Sequence, residues 1–148
     1  MRIGQTFHVA STPERVFDYM TDPANLRAWQ TSKTRVEVLS EGPPGPGFRV
    51  REWTKVPGRP EFEQVVEFTR FERPSLLHTH IVEGPQPLDG TWTLTAADGG
   101  GTRVEFVAEG ELRGPMRFAG PIIRAVIGRQ FRAYHENLRR NVEALDPG

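Results

Sequence analysis

Between Pro121 and Leu145 the hydrophobic period changes. Ile123, Ile127, Phe131, Tyr134, Leu138 and Leu145 recur at three- and four-residue steps, and Val126 and Val142 widen the stripe. That period is one face of a long amphipathic helix, and the face must be buried against something. Everything from Thr34 to Glu111 reads as strand and turn. One helix therefore has a sheet to cover, which leaves few architectures open.

The strands follow from alternation and from the Pro- and Gly-rich breaks between them. Ile3–Val9 places Ile3, Phe7 and Val9 on one face and Thr6 and His8 on the other. Further strands are expected at Arg35–Ser40, Phe48–Lys55, Glu61–Phe71, Leu76–Glu83, Leu88–Ala96 and Thr102–Glu111. Asp98-Gly99-Gly100-Gly101 marks a hairpin turn, because glycine adopts positive φ without a steric penalty. Between the first two strands lie two short helices. The first starts at Ser11-Thr12-Pro13-Glu14, where Ser11 with Glu14 has capping-box spacing and Thr12 before Pro13 is the alternative cap. Its stripe is Val16, Phe17 and Met20. Asp22-Pro23 caps the second, which carries Leu26 and Trp29.

The expected fold is thus α+β: a seven-stranded, curved antiparallel sheet with two short helices after strand 1. The long C-terminal helix lies across the concave face, in a single domain over residues 1–148. A curved sheet closed by one helix rarely fills its interior, so a largely apolar cavity with a few polar groups is expected between them.

Composition narrows the chemistry. There are no cysteines, which excludes disulfide frameworks, thiolate metal sites and thiol nucleophiles. Nineteen Lys+Arg balance nineteen Asp+Glu, whereas a dedicated nucleic-acid binder carries a basic surplus. No apolar run is long enough to span a bilayer, and Met1–Phe7 is too polar for a signal peptide. A cytoplasmic protein without stable membrane insertion is expected. Gly42–Gly47 holds three prolines, which lack the N–H groups of a phosphate cradle. No nucleophile elbow occurs, and nothing calls for a cofactor or a metal.

Val9-Ala10-Ser11-Thr12-Pro13-Glu14-Arg15-Val16-Phe17, the Thr21-Asp22-Pro23 to Trp29 stretch, Gly45-Pro46-Gly47-Phe48-Arg49-Val50, Gly101-Thr102-Arg103-Val104 and Leu138–Glu143 carry a resemblance across nearly the whole chain. It resembles the START/Bet v1-like (SRPBCC) superfamily with the helix-grip fold, and within it the polyketide cyclase/dehydrase-like branch of small bacterial proteins. These motifs are caps, turns and stripes, so they speak for fold more than function. The superfamily includes aromatases and cyclases, hormone receptors, lipid carriers and self-sacrificing resistance proteins, and fold alone does not choose among them.

Strand alternation nominates the inward polar residues. Glu52 shares a face with Phe48, Val50 and Thr54. Inside an apolar cavity a carboxyl could act as general acid or base; otherwise it pairs with an inward arginine or sits at the rim. Gln64 lies with Phe62, Val66 and Phe68, where its amide orients a ligand oxygen or is satisfied by a neighbour. Trp92 and the helix-borne Phe131 and Tyr134 complete the expected lining with Phe62, Gln64 and Phe68. Tyr134 can donate to a ligand oxygen, or it and Trp92 are simply core. His78 and His80 share the face opposite Leu77, Thr79 and Ile81 and are expected outside, where a His-x-His pair lacks further metal ligands. Gly114–Pro121 is either a mobile lid or a loop anchored by Met116 and Phe118. The arginine face of the last helix, interspersed with Glu136 and Glu143, reads as solvated.

The leading expectation is a monomer or homodimer that sequesters a small hydrophobic or aromatic ligand, lipid- or polyketide-like. The alternative is an enzyme resembling polyketide cyclases or aromatases, with Glu52 or Tyr134 handling protons. The third is an interaction module without a usable cavity.

Overall fold

The computed structural model describes residues 1–145; the last three residues of the expected domain lie outside the described part. Seven antiparallel strands form one sheet: β1 (Arg2–Val9), β2 (Lys33–Val38), β3 (Arg49–Thr54), β4 (Phe62–Glu72), β5 (Leu76–Glu83), β6 (Asp89–Ala96) and β7 (Thr102–Glu109). The spatial order is β1-β7-β6-β5-β4-β3-β2. Strands β2 to β7 form a meander, while β1 reaches across the chain to pair with β7, from Arg2 opposite Glu109 to Val9 opposite Thr102.

This order puts β1 and β2 at opposite edges, about 29 Å apart in a flat sheet. The link between them must cross the whole width, and the short helices do so: α1 (Pro13–Thr21), a 3-10 turn at Pro23–Asn25, and α2 (Leu26–Trp29). Of the two expected caps, Thr12 is the one used, its side chain accepting from the Arg15 N–H at 3.3 Å with Pro13 following. Ser11 is instead buried, and its hydroxyl has no partner among the described residues. Asp22 caps the next turn by accepting from the Ala24 N–H at 3.0 Å. Val16, Phe17, Met20, Leu26 and Trp29 are all buried, so the link closes one end of the concave face.

The C-terminal helix α3 spans Gly120–Leu145, about 39 Å of rise. Its inward side carries Tyr134, Leu138 and Val142, all buried, whereas Val126 and Leu145 of the expected stripe are exposed. The helix packs on β1 and α2. Glu143 accepts from the Ala10 N–H at 3.0 Å, and Asn137 and Asn141 donate to the Trp29 and Ala28 carbonyls at 3.2 and 3.0 Å. Ahead of α3, Gly114–Ala119, expected as a loop, forms a 3-10 segment.

Two register shifts re-aim β4. Inward alternation runs from Phe62 through Gln64 and Val66 to Phe68; the shift between Phe68 and Arg70 then turns Phe71 inward, stacked on Phe68 at 6.1 Å and edge-on to Phe17 at 5.0 Å. No helix among the described residues is long and apolar enough to cross a membrane.

Candidate functional site

Between sheet and helix lie two neighbouring pockets that share part of their lining. A deep end of about 70 Å³ lies between α2, β3 to β6 and Phe131 of α3, with Trp29, Phe68 and Trp92 among its walls. A wider part of about 390 Å³ opens between the β3–β4 and β5–β6 loops and the first half of α3. Gln30, Lys33, Gln64, Ile81, Leu88 and Phe131 border both. The larger volume falls within the roughly 300–1,000 Å³ usual for small-molecule sites.

The residues expected to line a cavity are divided between the two pockets. Glu52, Phe68 and Trp92 line the deep end, Phe62 and Tyr134 the wide part, and Gln64 and Phe131 both. Glu52 is buried but not alone: its Oε1 lies 3.0 Å from Lys33 Nζ. Lys33 also donates to Thr54 Oγ1 at 3.3 Å, and Gln64 Nε2 donates to Glu52 Oε1 at 3.0 Å. The charge is therefore matched inside the protein, by a lysine rather than an arginine, and the Gln64 amide is engaged by its neighbour. Burial works against the Lys33 ammonium, yet the Glu52 charge, Tyr134 and the hydrogen bond to Glu52 together hold the amine above its ordinary value.

Tyr134 is held by Ser32, whose hydroxyl it meets in a short hydrogen bond and which also accepts from Gln130 Nε2 at 3.0 Å. Burial pushes the phenol above its usual pKa, against the opposing pull of Lys33 and Ser32. It stays protonated at neutral pH. Where the two parts meet, the Lys33 ammonium and the Gln64 amide border both, with the Glu52 carboxylate on the deep side and the Tyr134 phenol on the wide side. Trp29 adds a buried indole N–H with no acceptor among the described residues.

A second polar chain runs behind the cavity. Trp92 Nε1 donates to His135 Nε2 at 3.1 Å; since indole nitrogen only donates, His135 must accept there and donate from Nδ1 to Gln5 Oε1, 2.8 Å away. Gln5 passes the chain on to the Gly128 carbonyl at 2.7 Å. Burial lowers the His135 pKa from 6.5 to about 3, so the ring is neutral. It packs on Phe7 and Phe106, with centroids 4.6 and 4.7 Å away.

Sequence reasoning missed Lys33, Ser32, Gln130, His135 and Gln5. Gln5 sits between Ile3 and Phe7 on the inward face of β1, and His135 falls four residues after Phe131 and three before Leu138, so both carried a periodic signal. Lys33 carried none, because β2 alternates too weakly to show an inward face.

His78 and His80 stand on the opposite face from Thr79 and Ile81, which line the deep end. Both face Asp89, at 3.5 Å from His78 Nε2 and 2.6 Å from His80 Nδ1, and Thr69 bonds His78. Among the described residues no group of three acidic or histidine side chains is placed to hold a metal. In the segment before α3, Met116 is reached by Gln86 and Arg59, with sulfur contacts of 3.2 and 3.9 Å, while Phe118 projects outward. One of the two anchors considered for this segment is therefore held and the other is not.

A seven-stranded antiparallel sheet gripping one long helix, with short helices after strand 1, is the arrangement of START-like proteins. The chain belongs to the family described as polyketide cyclase/dehydrase and lipid transport, which matches residues 1–143. Among experimental structures it is similar to TTHA0849 from Thermus thermophilus, at 19% identity and a TM-score of 0.85, covering 99% of this chain and 100% of that one. A START superfamily protein from Mycobacterium smegmatis is similar at 16% identity and a TM-score of 0.79, covering 97% and 98%. A conserved protein from Geobacillus kaustophilus gives 14% and 0.78, covering 96% and 95%. At such identities the likeness speaks for the fold alone. No curated protein matches the sequence.

Proposed function

We propose that the protein takes up a small, mainly apolar or aromatic molecule bearing oxygen, lipid- or polyketide-like, in the cavity between sheet and α3. The observation that carries this reading is that Lys33, Gln64 and Tyr134 border a mainly apolar cavity of about 390 Å³, with Glu52 bonded to Lys33 and Gln64 from the adjoining deep end. Apolar walls supply affinity and a few fixed donors supply orientation. The lysine charge is already neutralised by Glu52, so the wall suits a carbonyl or hydroxyl oxygen better than a free carboxylate. The buried Trp29 N–H favours an acceptor for the same reason. The family's description, which joins cyclase/dehydrase chemistry to lipid transport, agrees with such a ligand. A cavity of this size weighs against an interaction module without one.

A polyketide cyclase- or aromatase-like enzyme is the second reading, favoured by the same wall. Folding a poly-β-ketone against it would be a proximity effect, with Glu52 taking a proton and the Tyr134 phenol donating one to a developing enolate.

Native mass spectrometry of the purified full chain, followed by denaturing extraction, tests the proposal. The expected result is a retained neutral small molecule in the wild type and none in a Gln64→Trp variant that melts normally. Retention unchanged by Gln64→Trp would discard this cavity as the site. If the extracted molecule is turned over, Glu52→Gln separates the readings: turnover lost with retention kept supports the enzyme, and turnover kept removes Glu52 from its mechanism.

A further inference from the structure

Residues 112–135 hold five arginines, Arg113, Arg117, Arg124, Arg129 and Arg132, and no aspartate or glutamate, in a chain that is neutral overall. Glu136 and Glu143 lie further along the helix. In the structure both of those carboxylates are bound by Arg139, in the second half of α3. Among the described residues none of the five forms an ion pair.

The same stretch exposes apolar side chains. Phe118, Ile122 and Val126 are 79%, 68% and 48% exposed and recur every fourth residue from the 3-10 segment into α3. At about 100° per residue, Ile122, Val126 and Arg129 fall within about 60° of one another, along the exposed edge of α3 that borders the cavity mouth. Arg117 lays its guanidinium over the Phe118 ring, 4.7 Å from the centroid. The stripe also continues inward, since Val126 stands on the cavity wall with Ile123 and Met116.

A nucleic acid would match the charge and leave Phe118 and Ile122 without a use. A second copy would set five arginines against five more. An anionic lipid surface answers to both features, because apolar side chains enter the headgroup boundary while cations stay at the phosphates. We propose that the 3-10 segment and the first half of α3 dock on an anionic bilayer surface. Phe118, Ile122 and Val126 are buried at the boundary and the mouth of the cavity opens onto the lipid. The inference does not depend on which molecule the cavity holds.

Flotation of the full chain with vesicles of phosphatidylcholine plus phosphatidylglycerol, against phosphatidylcholine alone, tests it. Binding to the anionic vesicles that weakens as salt rises is expected. A Phe118→Ser/Ile122→Ser double variant should bind about tenfold less or weaker still. Arg117→Gln and Arg129→Gln should each cost roughly fivefold. All four side chains are exposed, so circular dichroism melts should match the wild type. Failure to bind anionic vesicles at low salt overturns the proposal, as does equal binding by the double variant. Two other outcomes also overturn it: a dimer that the double variant dissolves while vesicles are ignored, and duplex DNA outcompeting the vesicles.

Discussion

The Lys33–Glu52 pair is the strongest constraint at the scale of single residues. Both side chains are under a tenth exposed, at 8% and 6%. A buried pair gains little over a well-packed apolar one, but removing one partner strands the other charge. Lys33→Ala is therefore expected to destabilise the fold by about 3–5 kcal/mol, and Lys33→Met with Glu52→Leu to recover most of that. Urea midpoints around the cycle measure it, and a double variant no better than the single would remove the stranded charge as the cause. His135 gives a second prediction. Unfolding returns the ring to 6.5 from about 3, so within that window the unfolded chain binds a proton that the folded chain does not. Stability should fall on acidification by up to about 1.4 kcal/mol per pH unit and hold steady above pH 7. His135→Gln should flatten that part of the urea-midpoint profile; an unchanged slope would assign it to other groups. Of these residues, Glu52 was legible because strong alternation surrounds it. Lys33 was not, because a lysine at the start of an edge strand is ordinarily solvated, and only the partner strand reveals its direction.

Elements were legible where period or turn chemistry is local. The long helix, the hairpin at Asp98–Gly101 and the Asp22 cap depend on neighbours in sequence, and each stands where expected within a residue or two. The register shifts of β4 were not legible, since a bulge is a mismatch between two strands and one strand alone cannot display it. Gly101 ties the hairpin to β1. Its φ is +86°, and an added Cβ would lie 2.8 Å from the Val9 carbonyl oxygen. Gly101→Ala should cost about 2 kcal/mol, read as a lowered denaturation midpoint, because the backbone conformation and the contact both oppose it. A shift under a few tenths would mean that the hairpin relaxes freely. The helix α3 shows a division of labour along its length. The bonds from Asn137, Asn141 and Glu143 tie its second half to the α1–α2 link and to Ala10, and the first half bears the cavity wall.

For the whole molecule, the order of elements already implied a sheet gripping a helix, and the cavity followed from that shape. What it could not convey was which polar groups meet inside. Lys33, Glu52 and Gln64 come from three different strands, and Tyr134 and Ser32 lie on the order of a hundred residues apart in sequence. The pairing of β1 with β7 has a consequence in time. Among the described residues β1 has β7, some hundred residues later in the chain, as its only strand neighbour. At ribosomal rates of roughly 5–20 residues per second, β1 leaves the ribosome on the order of ten seconds before its partner exists. Through that interval Ile3, Phe7 and Val9 belong to a nascent chain whose sheet is open along one side, and only the arrival of β7 and then α3 lets it close.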